Sequence, residues 1–162
     1  MEIERKFLLS KLPTSITPYQ QSIVYEFYLT TEPTVRLSER TDSDTGLRDY
    51  KMTVKGDGQL SRFESEIPIT EKFFKDVTNC FAHILIKKNY LKYFLEDNHT
   101  LEISIVDNGV FVYGEVEFKT EEEANAFEFP YPEIVIKEIT YNDKYRMKNY
   151  WLNKKEHGNE TY

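Results

Sequence analysis

Charged and apolar side chains alternate through the first nine residues, Met1–Leu9 (MEIERKFLL). Along an extended strand successive residues face opposite ways, so Glu2, Glu4 and Lys6 share one face and Ile3, Arg5 and Phe7 share the other. The same period of two returns four more times. It places Arg36, Ser38 and Arg40 in phase within Val35–Thr41, and Lys51, Thr53 and Lys55 within Leu47–Lys55. It places Arg62, Glu64 and Glu66 together in Leu60–Ile69, and Glu115, Glu117 and Lys119 together in Val110–Lys119. Ser22–Thr30, Ile84–Leu95, His99–Val106 and Glu133–Thr140 also read as strands, being rich in aromatic and β-branched residues. Turn signals separate these runs: Glu32-Pro33, Asp42–Gly46, Gly56-Asp57-Gly58 and Asp107-Asn108-Gly109. Ser10–Pro18, with two prolines, is a connection.

Helical spacing interrupts the strand pattern in three places. After a capping Thr70, residues Phe73, Phe74, Val77, Cys80, Phe81 and Ile84 recur at the helical period, which predicts a helix laid against the sheet. Thr120-Glu-Glu-Glu123 fits a capping box opening a short helix to Phe127, stopped by Pro130 and Pro132. A last helix over Asn142–Asn153 carries Tyr145, Met147, Tyr150, Trp151 and Leu152. Residues 1–153 then form a single domain, and Lys154–Tyr162 is a polar tail. The class is α+β, dominated by an antiparallel sheet.

A chain of 162 residues is long enough for one domain with a real core. Its 12 Tyr and 11 Phe add weight to the strand reading. The net charge of −7 argues against a general nucleic-acid binder, and no DNA binding is expected. Cys80 stands alone, so no internal disulfide forms, as suits a reducing compartment. No apolar run approaches a membrane span, and the charged N-terminus lacks a signal peptide's apolar segment, so the expected location is cytoplasmic. His83, His99 and His157 are too scattered for a zinc site. No P-loop or dinucleotide-binding glycine pattern occurs.

The polar faces carry the chemistry. Paired carboxylates occur on three separate strands: Glu2/Glu4, Glu64/Glu66 and Glu115/Glu117. Such pairs repel unless a cation sits between them, and hard divalent ions such as Mg²⁺ or Mn²⁺ favour oxygen ligands of this kind. Lys6, Arg36, Arg40, Lys51, Lys55, Arg62, Lys88 and Lys119 lie among them. Two architectures account for this pattern. In one, the sheet curls into a barrel with its charged face inward and its apolar face outward under helices. In the other, a flat sheet exposes a solvated charged face.

Glu2-Ile-Glu-Arg-Lys6 resembles the E-x-E-x-K signature of the CYTH superfamily, the triphosphate tunnel metalloenzymes. The resemblance extends over nearly the whole chain. Tyr28-Leu29 is similar to the family's Tyr-Leu, Arg36 to the first Arg of its R-x-R, and Lys55 to the end of its T-x-K. Arg62-Phe-Glu-Ser-Glu66 resembles its R-x-E-x-E, Lys88 its K-x-R, and Glu115-Val-Glu117 its late E-x-E. Glu138–Tyr145 resembles its terminal E-V-T-x-D-x-R-Y. The resemblance implies an antiparallel eight-stranded β-barrel, a tunnel with a polar interior flanked by helices. It implies a metal-dependent hydrolase that cleaves a phosphoanhydride bond of inorganic triphosphate or a related organic triphosphate, acting as a monomer or homodimer.

On that resemblance Glu2, Glu4 and Glu117 hold Mg²⁺ or Mn²⁺ against the phosphates, and Glu64, Glu66 and Glu115 bind a second ion or position water. Arg36, Lys55, Arg62 and Lys88 hold phosphate oxygens. Lys6 contacts the reacting phosphoryl group, with Tyr28 as its partner. Three positions depart from the family: Ser38 and Tyr90 stand where it has arginine, and Ser104 where it has an acid. Arg40, Lys51, Lys87 and Lys92 are the candidates to compensate. These losses keep two other functions open, a class IV-type adenylyl cyclase making cyclic AMP and pyrophosphate, and a non-catalytic binder of polyphosphate or nucleotide.

Overall fold

The computed structural model describes residues 1–81 and 84–158. His83 and residues 159–162 of the expected tail lie outside them. Ten strands follow one another as β1 (Glu2–Leu9), β2 (Gln20–Thr31), β3 (Thr34–Asp42), β4 (Arg48–Lys55), β5 (Ser61–Arg62), β6 (Glu64–Pro68), β7 (Ile86–Phe94), β8 (Thr100–Val106), β9 (Phe111–Glu117) and β10 (Val135–Glu138). Three helices accompany them: α1 (Glu71–Phe81), α2 (Glu121–Ala126) and α3 (Met147–His157). All pairings are antiparallel, in the order β10-β1-β9-β8-β7-β2-β3-β4-β6.

The ring closes because one expected strand is broken in two. Leu60–Ile69 divides at Phe63: β6 pairs with β4, while β5 turns to pair with β1, setting Arg62 opposite Glu2. Counting β5 and β6 as one position gives an eight-membered barrel, with β10 added outside on the far half of β1. The strand count of ten against the expected eight has this physical origin. Gly58 makes the turn that delivers β5. Its φ of +131° suits glycine, and a Cβ there would lie 2.1 Å from the Ser61 carbonyl oxygen.

Apolar residues cover the outside of the barrel and the helices sit on them. One cluster holds Leu8, Phe27, Leu37, Ile86, Val106 and Phe111 with Tyr150 and Trp151 of α3. The other holds Phe7, Leu9, Leu91, Leu101, Ile103 and Val116 with Ala124 of α2 and the following Phe127. Arg5, on the apolar face of β1, is accommodated by pairing. Its guanidinium donates to the Ala124 and Phe127 carbonyls at the end of α2, 2.9 and 2.7 Å away, and forks onto the Glu138 carboxylate. Thr120 caps α2 through the Glu123 N–H, and Glu123 accepts in return from the Lys119 N–H.

Two helices differ from expectation. Only part of the α1 stripe faces inward: Phe74 and Thr78 are buried and Val77 is half-buried, while Phe73, Cys80 and Phe81 are exposed. The barrel curves away beneath α1, so a narrow line of contact suffices, with Phe74 against Tyr50. The last helix starts later, a 3-10 turn over Asp143–Tyr145 preceding it, and runs to His157, four residues into the expected tail. Lys154 holds that end by pairing with Asp107 at 2.9 Å and donating to the Leu85 carbonyl. No helix among the described residues is long and apolar enough to cross a membrane.

Two stability predictions follow from this packing. Gly58→Ala is expected to cost about 1–3 kcal/mol, read as a lower midpoint in denaturant unfolding. His99 lies 2.8 Å from Asp97 and 2.9 Å from Glu123; burial disfavours its charge, but the two carboxylates outweigh burial and raise its pKa above 6.5. The stability this provides is complete below pH 6.5 and is lost as pH rises through the raised folded value. His99→Gln is therefore expected to lower the thermal midpoint in mild acid and to change it little once the pH exceeds the raised folded value. An equal loss at both pH values would contradict this.

Candidate active site

The alternation of each strand decides what lines the barrel. Inward positions are Glu2, Glu4 and Lys6 on β1; Glu26 and Tyr28 on β2; Arg36, Ser38 and Arg40 on β3; and Lys51 and Lys55 on β4. Arg62, Glu64 and Glu66 follow from β5 and β6, Lys88, Tyr90 and Lys92 from β7, Glu102 and Ser104 from β8, and Tyr113, Glu115 and Glu117 from β9. They surround a cavity of about 380 Å³. The segment from Ile139 to Lys148 lines it at one end, where Trp151 of α3 packs 6.0 Å from Tyr28. The charged-inside barrel, rather than a flat solvated sheet, is the arrangement present.

Glu2, Glu4 and Glu117 converge, each offering a carboxylate oxygen within 4.8 Å of the others. The register requires it, since Glu4 lies opposite Glu117 across the β1–β9 pair. Arg62 holds two of them, with Nε 2.7 Å from Glu2 and Nη2 2.8 Å from Glu4. Burial opposes ionisation of Glu2, yet Lys55, a hydrogen bond from Glu64, and Arg62 outweigh it and bring its carboxyl down to about 2. Glu4 moves the other way: burial, then the nearby Glu115, push it up to about 8. Glu117 rises to about 7, through burial and then repulsion from Glu102 and Glu2. Two carboxyls whose charge is this unfavourable beside a third that stays ionised form a donor set that a hard divalent cation satisfies. The residues fit such an ion.

The other three carboxylates of the predicted six each lie beside a lysine, although Lys55 also reaches Glu2 at 3.2 Å. Lys55 Nζ lies 2.8 Å from Glu64, Lys51 Nζ 2.8 Å from Glu66, and Lys6 Nζ 3.4 Å from Glu115. The six carboxylates expected to bind metal thus separate into a converging trio and three lysine-paired residues. Lys6 also donates to the Tyr145 carbonyl at 3.1 Å and sits 3.8 Å from the centre of the Tyr113 ring. Tyr113 is therefore an aromatic neighbour of Lys6. The register accounts for this contact: Lys6 faces Glu115, so the next inward residue of β9 reaches it, while Tyr28 stands on β2, which does not pair with β1. Tyr28 packs by Trp151, with Arg36 and Glu26 near its hydroxyl.

Glu26 and Glu102 are site residues that the motif reading passed over. Glu26 pairs with Lys88 at 2.6 Å and Arg36 at 3.4 Å, and Glu102 with Lys92 at 3.4 Å. Each stands two residues from an inward position already recognised, Tyr28 or Ser104, so strand phase alone could have found them.

No protein-family model matches the chain. An inorganic triphosphatase from Nitrosomonas europaea is 32% identical over 152 residues, covering 91% of this chain and 94% of that protein. The chain belongs to the CYTH superfamily. A crystal structure of an inorganic triphosphatase superposes with a TM-score of 0.63 at 25% identity, covering 94% of this chain and 95% of that one. A protein from Pyrococcus horikoshii shares the fold, with a TM-score of 0.58 at 17% identity over 77% of this chain and 82% of that one.

Within this CYTH barrel two of the three departing residues face each other, and Ser38 lies opposite Glu26 and Lys51. Tyr90 faces Ser104 across the β7–β8 pair, and Arg40 lies 4.7 Å from the Tyr90 ring centre. Arg40, Lys51 and Lys92 line the cavity and restore positive charge to its wall. Lys87 does not; it points outward to Asn108, as its odd phase beside Lys88 dictates.

Glu117→Gln is expected to weaken Mn²⁺ binding to the protein by about tenfold or more, measured by titration with paramagnetic detection and no substrate present. Glu66→Gln, lying outside the converging trio, is expected to weaken it less.

Proposed function

We propose that this chain is a triphosphatase. It hydrolyses a terminal phosphoanhydride bond of inorganic triphosphate, or of a related organic triphosphate, with Mg²⁺ or Mn²⁺ bound by Glu2, Glu4 and Glu117. The observation that carries this reading is the converging carboxylate trio beside Arg62, opening onto a cavity lined with cations. The 32% identity with an inorganic triphosphatase supports the same choice of chemistry.

Charge balance explains why metal belongs to the reaction. The strands contribute eight cations to the cavity, Lys6, Arg36, Arg40, Lys51, Lys55, Arg62, Lys88 and Lys92. They face nine carboxyl groups: Glu2, Glu4, Glu26, Asp49, Glu64, Glu66, Glu102, Glu115 and Glu117. Among the described residues, seven of the eight cations, all but Arg40, are already paired with a carboxylate, so a polyanion must compete for them. Bound divalent ions supply the missing positive charge and make water more acidic.

The chain's own residues then do the positioning on which phosphoryl transfer depends. Arg36, Lys55, Arg62 and Lys88 hold non-bridging oxygens and fix the phosphate chain along the tunnel. Lys6 reaches the terminal phosphoryl group and offsets charge on its equatorial oxygens. Burial lowers the Lys6 pKa, and the neighbouring Glu115 and Glu4 oppose that shift. Glu64, Glu66 and Glu115 orient the water whose oxygen bonds to the terminal phosphorus as its bond to the leaving diphosphate group breaks, that group taking up the water's proton. The Ile139–Lys148 segment shields this end from bulk water.

Phosphate release from inorganic triphosphate, thiamine triphosphate and ATP, in Mg²⁺ and in Mn²⁺, tests the proposal. Orthophosphate is the expected product. Lys6→Ala and Glu4→Gln are expected to lower kcat by about 100-fold or more. Pyrophosphate with a cyclic nucleotide would identify a cyclase instead. Saturable binding without turnover would identify a binder, and unchanged turnover in both variants would reject these roles.

A further inference from the structure

Glu26 has no role in the reaction just described, yet it is only 3% exposed, the most buried carboxylate on the cavity wall. It faces Ser38 across the β2–β3 pair, at the end of the cavity near α3. Lys88 Nζ lies 2.6 Å from its Oε1 and Arg36 Nη1 3.4 Å from its Oε2. These are two of the cations assigned to phosphate. The Arg36 Nε is buried and, among the described residues, has no hydrogen-bond partner, so the guanidinium keeps a donor for something else. Arginine and lysine bind carboxylate and phosphate oxygens through the same charge-assisted hydrogen bonds. Glu26 therefore occupies, chemically, the place of a phosphate.

We propose that Glu26 is an internal anion that competes with the substrate's innermost phosphate for Arg36 and Lys88, and so limits the length of phosphate chain held tightly. This rests on the triphosphatase reading. The cavity is graded: Glu2, Glu4, Glu117 and Arg62 form one station, Lys6 and Glu115 the next. Lys88 follows, sharing the Tyr113 ring with Lys6 at 5.5 and 3.8 Å. A two-phosphate chain anchored on the carboxylate trio stops short of Glu26. A longer chain brings its last phosphate against the Glu26 carboxylate, and like charges repel strongly in so enclosed a site. Glu26 cannot swing into solvent, since it is enclosed beside buried Tyr28 and Lys88. Strand phase points residue 26 inward whatever its identity. Glutamine would keep the shape and one acceptor oxygen while removing the charge and turning an amide NH2 toward the other cation.

The test compares wild type with Glu26→Gln by calorimetric titration in saturating Mg²⁺. The probes are hydrolysis-resistant methylene-bridged analogues of triphosphate and pyrophosphate. Glu26→Gln is expected to bind the triphosphate analogue about tenfold more tightly while its affinity for the pyrophosphate analogue changes less than twofold, so that the ratio of the two rises. A structural role alone would weaken both, and a general field effect would tighten both alike; either result overturns the proposal, as does an unchanged ratio. Should Glu26→Gln fail to fold, Glu26→Asp draws the carboxylate back from both cations and is expected to raise the ratio by a smaller factor. Wild-type turnover of triphosphate is measured separately. Turnover with an unmoved ratio rejects the Glu26 proposal and leaves the hydrolase standing. Absence of both turnover and analogue binding rejects the hydrolase reading and this proposal with it.

Discussion

Arg62 reaches Glu2 and Glu4 from a strand two residues long, at 2.7 and 2.8 Å, where the barrel closes on itself. A wall with charge on its inner face cannot be held by apolar packing inside, so ion pairs must join strands there. Removing one partner of such an enclosed pair leaves an uncompensated charge, at a cost of about 3–5 kcal/mol in general. The arrangement recurs around the ring: Lys55 with Glu2 and Glu64, Lys51 with Glu66, Lys6 with Glu115, Glu26 with Arg36 and Lys88, and Glu102 with Lys92. Each pair crosses between strands. The charges that suit a phosphate chain are also what keep the tunnel open and shaped.

The hydrocarbon that drives folding lies on the other side of the sheet. Leu37, Ile86, Leu101, Ile103, Val106 and Val116 are fully buried under helices and loops. This inversion, with polar residues within and apolar residues without, separates stability from chemistry. The inward residue of a strand can change while its outward neighbours continue to pack. The departures at Ser38, Tyr90 and Ser104 are tolerated in this way. Tyr90 takes a place facing Ser104, and Arg40 lies over its ring.

Electrostatics divides the interior into two kinds of place. At the carboxylate trio, burial and then the neighbouring acids leave Glu4 and Glu117 with raised pKa values, a state that a divalent cation relieves. At the end near α3, Glu26 is matched by Arg36 and Lys88, which outweigh burial and hold its carboxyl at about 2. One end is short of positive charge and the other is already balanced. A ligand bearing several negative charges is therefore handled unequally along its length.

Local pattern determined much of this protein. The period of two set which residues share a face, so the inward positions of β1, β3, β4 and β9 follow from the chain itself. The Thr70 and Thr120 caps were also legible, because their hydrogen bonds reach only three residues ahead. The tertiary structure decided what depends on which strands meet. It alone chose the barrel over a flat sheet, split Leu60–Ile69 so that Arg62 reaches Glu2, and brought Glu117 to Glu4 across a sequence gap of more than a hundred residues. It also set Lys6 against the Tyr113 ring and turned Cys80 outward. Phase is a property of one strand, but contact depends on register between strands and on the curvature of the closed sheet, and neither is written in any single segment.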